Sequence, residues 1–196
     1  DYVYITSFSH HPFYNKFILE VPDNWAAKEA YNLPIDEFGQ VLENAIDNGY
    51  TVAWASDISE KGFSYKNGVA VVPDVNLNDM SESDKAKWTG LTEKEKEAQL
   101  FTFDKPAFEK TITQELRQVG FDNFQTTDDH GMLIVGTAKD QNGKIYFKIK
   151  NSWGTAGSKY NGYFYASKAF ILYKTTSIMV NKNSIPKTIA AKLGIK

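Results

Sequence analysis

Apolar positions after Pro34 fall at Ile35, Phe38, Val41, Leu42, Ala45 and Ile46, the three-and-four spacing that draws one stripe along a helix. Gly49 follows, where a helix stop is expected, so the pattern predicts a helix with one buried face. The period then changes. Tyr50 to Asp57 (YTVAWASD) is rich in β-branched and aromatic residues and is bounded by Gly49 and Gly62, which reads as a strand. The opening run Tyr2-Val3-Tyr4-Ile5-Thr6 is strand-like as well.

Between Asp74 and about Asp128 the character shifts again. SESDKAKW and LTEKEKEAQLF are charged and helix-favouring, and Lys105 to Val119 predicts a second helical stretch with Phe108, Ile112, Leu116 and Val119 on its apolar face. The run Glu93 to Glu97 reads as a solvated face, with Phe101, Phe103 and Phe108 as anchors. Residues 75–128 are therefore expected to form a helical insertion on a sheet-based core.

The last third alternates with period two. His130 to Ala138, the turn Asp140-Gln141-Asn142-Gly143 and Lys144 to Lys150 predict a hairpin, and further strands are expected near Gly162 to Ala166 and Thr175 to Val180. Ile145, Phe147 and Ile149 should share the buried face, and Asn151 continues their parity to an inward-pointing strand end. The tail, 183–196, is expected as a surface arm. Neither a repeat nor a linker divides the chain, and the expected class is α+β.

Composition narrows the chemistry. A length of 196 residues with 42% hydrophobic and 14% aromatic content fits one globular domain. A formal net charge of −2 offers no basic field, so nucleic acid is not an expected partner. No apolar run approaches the ~20 residues of a membrane span, and the first residues lack a signal peptide's basic start and apolar centre. The chain reads as soluble. Asp1 is an unusual natural start, so a fragment or processed chain is expected. The absence of Cys excludes disulfides, thiolate metal sites and a thiol nucleophile from this chain. His10 and His11 point to opposite faces if extended and have no acidic partner at ligand spacing, so no metal or other cofactor is expected.

One constellation carries chemistry. Asp128-Asp129-His130-Gly131-Met132 opens one hairpin strand and Lys150-Asn151-Ser152-Trp153-Gly154 ends its partner, so the hairpin returns Asn151 beside His130. A histidine base needs one ring nitrogen free for the nucleophile and the other tied to an acceptor that fixes tautomer and ring plane; the Asn151 amide oxygen is suited to that role. Trp153 is placed to cover the pair and exclude water. Asp129 is a candidate to tune His130 electrostatically, although adjacent acids such as Asp128 and Asp129 more often mark a solvated turn. The plain alternatives, Asn151 as a turn cap and Trp153 as core, leave the joint spacing unexplained.

Asp-His-Gly-Met, followed by Lys-Asn-Ser-Trp-Gly and then by Asn161-Gly162-Tyr163-Phe164, resembles the histidine and asparagine motifs of papain-like cysteine peptidases. The Pro34 helix leading into Thr51-Val52-Ala53-Trp54, the segment before His130 and the opening Asp1-Tyr2-Val3 resemble the bleomycin hydrolase and aminopeptidase C branch. The resemblance implies a β-rich C-terminal lobe with a barrel-like antiparallel sheet, catalytic His130 and Asn151, and a peptide substrate. It also implies a Cys-bearing N-terminal part of the same protein, a cytoplasmic setting and a homohexamer. In papain-like enzymes the cysteine stands ~130 residues or more before the histidine, at or before the start of this chain. The resemblance further implies that the tail can enter the cleft, the Lys196 carboxylate receiving a substrate's amino group in an aminopeptidase. The rival reading, motivated by the missing Cys, is a noncatalytic binding or structural module.

Overall fold

Pro34, with its fixed φ and no N–H to leave unpaired, precedes helix α1 (Ile35–Asp47). The helix buries Ile35, Phe38, Val41, Leu42 and Ala45, the stripe its sequence predicts. The computed structural model describes residues 1–196, and this helix lies against a single ten-stranded sheet.

In chain order the strands are β1 (Tyr2–Thr6), β2 (Lys16–Ile18), β3 (Glu29–Asn32), β4 (Val52–Ser56), β5 (Phe63–Ser64), β6 (Val69–Ala70), β7 (His130–Lys139), β8 (Ile145–Lys150), β9 (Tyr163–Ser167) and β10 (Thr175–Asn181). They lie in the order β2-β3-β1-β10-β4-β7-β8-β9-β6-β5. Two pairings, β1 with β3 and β6 with β9, are parallel, and the others are antiparallel. Five further helices, α2 (Glu82–Gly90), α3 (Glu93–Leu100), α4 (Gln114–Asp122), α5 (Lys168–Lys174) and α6 (Lys187–Lys192), complete a mixed α+β fold.

Period-two alternation sorts the sheet's faces. Val52, Trp54, Ile134, Ile149, Ile178 and Val180 point inward and join α1, together with Phe170 and Ile171 of α5, in one core. Ala53, Ala55 and Gly131 stand on the other face, whose small residues leave shallow hollows above it.

Four expectations need correction. The second helical stretch begins at Gln114, not Lys105. Pro106 and the β-branched run Thr111-Ile112-Thr113 disfavour helix, and Glu109 pairs in extended form with Pro73. Its buried carboxylate accepts from the Val72 N–H at 2.8 Å and the Ser167 hydroxyl at 2.5 Å, and meets Lys144. Thr113 then caps α4 by accepting from the Leu116 N–H. Phe108, 52% exposed, is not an anchor and Val119 is also exposed; α4 buries Arg117, Gln118 and Gly120 instead.

In β8 the turn end is inverted: Ile145 is exposed and Tyr146 is buried, because residues 103–107 roof the sheet's other side there. The tail is no loose arm either. Ile185, Ile189 and Leu193 recur every four residues and enter the core, while the Asn44 side-chain amide donates to the Ser184 carbonyl at 2.7 Å.

Candidate active site

Strand β7 starts at His130, paired in register with Ser56 of β4. Its hairpin partner β8 ends at Lys150, opposite Leu133. Phe147 and Ile149 point into the core, and the same parity carries Asn151 inward, where it is 6% exposed. The result is a hydrogen bond of 2.8 Å between His130 Nε2 and Asn151 Oδ1.

An amide oxygen only accepts, so Nε2 carries the proton and donates, leaving Nδ1 as the basic nitrogen. Asn151 Oδ1 also accepts from the Ser152 backbone N–H at 2.7 Å, which fixes the amide independently of the imidazole. Asn151 Nδ2 is buried without a partner.

The loop that follows is pinned from several directions. The Asn151 N–H donates to the Gly162 carbonyl at 3.1 Å, and the Tyr65 hydroxyl donates to the Gly154 carbonyl at 2.6 Å. Gly162 has φ +88°, and a Cβ there would lie 2.9 Å from the Gly154 oxygen, so closure of the loop requires glycine.

This loop sets the Trp153 indole 4.9 Å from the His130 ring, centroid to centroid. Trp153 is 49% exposed, so it covers one side of the pair and remains open on its other side. Phe63 and Tyr65 brace it edge-on at 5.9 and 5.2 Å. These two supports are absent from the sequence-derived site. Their alternate spacing after Gly62, Phe63 on β5 and Tyr65 in the turn that follows, is the signal that puts both on one side of the chain.

Asp129 does not bond the His130 ring. Its carboxylate accepts from the backbone N–H groups of Ile58 and Ser59 at 3.0 and 3.3 Å, tying β4's exit to the start of β7. Asp128 is the partly buried member of the acidic pair and accepts from the Thr176 hydroxyl at 2.6 Å. Burial raises its carboxyl above the ordinary range; the Thr176 hydrogen bond opposes the shift, and Asp23 and Asp129 add to it.

A raised folded value means that the folded chain holds this proton more tightly than the unfolded chain. The penalty is therefore absent below the unfolded value, grows as pH rises from there, and is fully present above the folded one. Asp128→Asn, which keeps an acceptor for Thr176, is expected to raise the thermal midpoint by a few degrees at most at pH 7 and to leave it unchanged at pH 3. A larger gain at pH 3, followed by calorimetry, would contradict the sign.

His130 lines a hollow of about 320 Å³ with Leu19, Val21, Trp25 and Asp128, and Asn151 lines a neighbouring one of about 540 Å³. The two share Tyr4, Ala55, Gly131 and Ser177, so they form one trough over the small-residue face. Lys196 is exposed, and residues 182–196 line neither hollow: α6 packs toward α1 through the core and the Lys192–Glu37 pair at 2.5 Å. His10 and His11 stack in an aromatic group with Phe8, Phe17 and Phe121.

Comparison with known proteins fits this geometry. A family model described as Peptidase C1-like family matches residues 83–195. No curated protein sequence matches the chain. Among solved structures, PepW from Lactobacillus rhamnosis HN001 aligns at a TM-score of 0.63 with 20% identity over 99% of this chain, which spans 38% of the length of PepW. Bromelain from Ananas comosus, solved with the E64 inhibitor, aligns at a TM-score of 0.37 with 13% identity over 76% of this chain and 46% of its own. The family match covers more than half of the residues, including His130, Asn151 and Trp153, and the chain belongs to the Peptidase C1-like family, with a papain-like fold.

Proposed function

We propose that this chain supplies the acid–base half of a cysteine peptidase, His130 acting as base and then acid, Asn151 as its orienting group and Trp153 as a shield. The observation that carries the reading is the 2.8 Å contact from Nε2 to a buried amide oxygen, which leaves Nδ1 as the basic nitrogen. Because the chain has no Cys, the thiol comes from an N-terminal part of the same protein.

In the proposed reaction His130 Nδ1 takes the thiol proton, the thiolate attacks the peptide carbonyl, and the imidazolium gives the proton to the leaving amine. Water then attacks the thioester, losing its proton to His130, and the acid product and the thiol are released. Asn suffices as the third member because the imidazolium is balanced by the thiolate rather than by a carboxylate.

An aminopeptidase is the finer form of this reading, supported by the likeness of the Pro34 helix and of residues 75–128 to the bleomycin hydrolase and aminopeptidase C branch. Lys196 as the anchor for a substrate amine is not supported by the tail's packing onto the core. The homohexamer remains a proposal drawn from the same likeness.

The test uses the complete protein with an amino-acid amide, an internally cleavable peptide with a blocked amino terminus, and a thiol-directed epoxide. Turnover of the amide alone, abolished by the epoxide, is expected for an aminopeptidase; turnover of the blocked peptide would make it an endopeptidase. Insensitivity to the epoxide would sink the thiol mechanism. Absence of turnover would favour the noncatalytic module. The 196-residue chain alone should hydrolyse neither substrate, since an imidazole and an amide have nothing to acylate.

A further inference from the structure

A cavity of about 490 Å³ lies between residues 103–107, β6 and the turn end of the β7–β8 hairpin, and it shares no lining residue with the trough at His130. Its volume is within the ~300–1,000 Å³ of small-molecule sites. Aromatic walls come from Tyr146, Tyr160 and Tyr165, the last two packed edge to face at 5.3 Å. The Tyr160 ring is seated by Gly68, at φ +68°, where a Cβ would come within 2.3 Å of it. On the opposite wall Phe103 holds a φ of +56°, an unfavourable conformation for an aromatic residue and of the kind concentrated at binding sites.

Tyr146 is the informative group. It is 8% exposed, its hydroxyl has no hydrogen-bond partner within the chain, and it lines the cavity. The hydroxyl oxygen is accessible from the cavity rather than sealed in the core, so it is free to donate to a molecule held there. Burial first, then the charges of Glu109 and Asp140, push it up to about 12, so it stays a protonated donor. The charges around it are unevenly satisfied. Asp104 accepts from the Thr102 hydroxyl at 2.7 Å, and Asp140 Oδ1 accepts from the N–H groups of Asn142 and Lys144 at 2.8 and 2.9 Å, while Asp140 Oδ2 is buried without a partner. Lys105, Lys139 and Lys159 also line the cavity and form no ion pair; Lys159 only stands over the Tyr160 ring at 5.4 Å.

We propose that this cavity is a second binding site, for a small aromatic anion whose ring packs among the tyrosines and whose acceptor oxygens meet the Tyr146 hydroxyl and the unpaired lysines. This inference is independent of the peptidase reading, because none of these residues belongs to the His130–Asn151 site.

The test is titration calorimetry of the full chain with naphthalene-2-sulfonate at low salt. One saturable site is expected. Tyr146→Phe, which removes only the hydroxyl and keeps the ring in place, should weaken binding about 3- to 10-fold. The triple change Lys105→Gln, Lys139→Gln and Lys159→Gln should weaken it at least about 10-fold and flatten its salt dependence. Uncharged naphthalene-2-methanol should bind at least about 10-fold more weakly than the sulfonate, and His130→Ala should leave the affinity unchanged. Lack of saturable binding, equal affinity for the uncharged compound, or wild-type affinity in both the Tyr146 and lysine variants would overturn the assignment. Loss of binding in His130→Ala would place the site elsewhere.

Discussion

Alanine at His130 in the complete protein is expected to lower kcat/KM for an amide substrate by roughly 10³-fold or more, since in the proposed mechanism acid–base transfer and thiolate formation both depend on that ring. Asn151→Ala should cost less, about 10²-fold, because the base remains and only its orientation is lost. The two changes are not expected to add. Once His130 is gone, Asn151 has nothing to orient, and the double variant should fall no further than His130→Ala alone.

Steady-state rates and epoxide labelling together decide the assignment. A purely structural role for Asn151 would lower the thermal midpoint and leave kcat per folded molecule intact, whereas an orienting role lowers kcat with KM little changed. Wild-type turnover in His130→Ala would remove this ring from the mechanism. Trp153 offers a graded control. It covers only one side of the pair, so Trp153→Phe should retain more activity than Trp153→Ala.

The juxtaposition of His130 and Asn151 was legible in the sequence because it depends on short-range geometry, whereas the catalytic reading came from the motif resemblance. A hairpin with a defined turn returns its second strand beside its first, and period-two parity decides which residue points inward, so His130 and Asn151 could be paired from spacing alone. The α1 stripe was legible for the same reason. What the sequence concealed depends on contacts distant along the chain. Parity with Lys148 and Lys150 turns Tyr146 toward solvent, yet residues 103–107 fold over it. Lys105 to Val119 carries apolar residues at helical spacing, but Glu109 is held extended by Val72, Lys144 and Ser167, partners between 35 and 58 positions away. The tail's four-residue period is visible in the sequence, but the partner that buries it, α1, lies some 140 positions earlier.

Arg117 is the furthest departure from what its residue type implies, and replacing it should have the largest effect on stability. Its side chain is fully buried, with no carboxylate in contact. Nε donates to the Ser7 carbonyl at 2.6 Å, Nη1 to Leu172 at 2.7 Å and Nη2 to Thr175 at 2.5 Å, and the guanidinium lies over Phe8 at 4.5 Å and Phe38 at 5.4 Å. Burial without a counter-charge pushes it down to about 9, still protonated at neutral pH.

Two terms of opposite sign follow from Arg117→Met. Removing an unpaired buried charge is favourable, but three buried carbonyls lose their donor, at about 1–3 kcal/mol each. The carbonyls should dominate, for a net loss of about 3 kcal/mol. Arg117→Lys should be no better: it keeps the charge, and one ammonium cannot reach three diverging acceptors with the geometry of a planar fork. Urea unfolding provides the check, read as a lower midpoint at unchanged slope. A Met variant as stable as the parent would mean that the carbonyls find other donors. The effect should also reach the trough. Thr175, whose carbonyl Arg117 holds and whose hydroxyl accepts from the Trp54 indole at 2.7 Å, precedes Thr176, the partner of Asp128 two residues before His130. Freeing that carbonyl releases the strand on which the acidic end of the site is fastened.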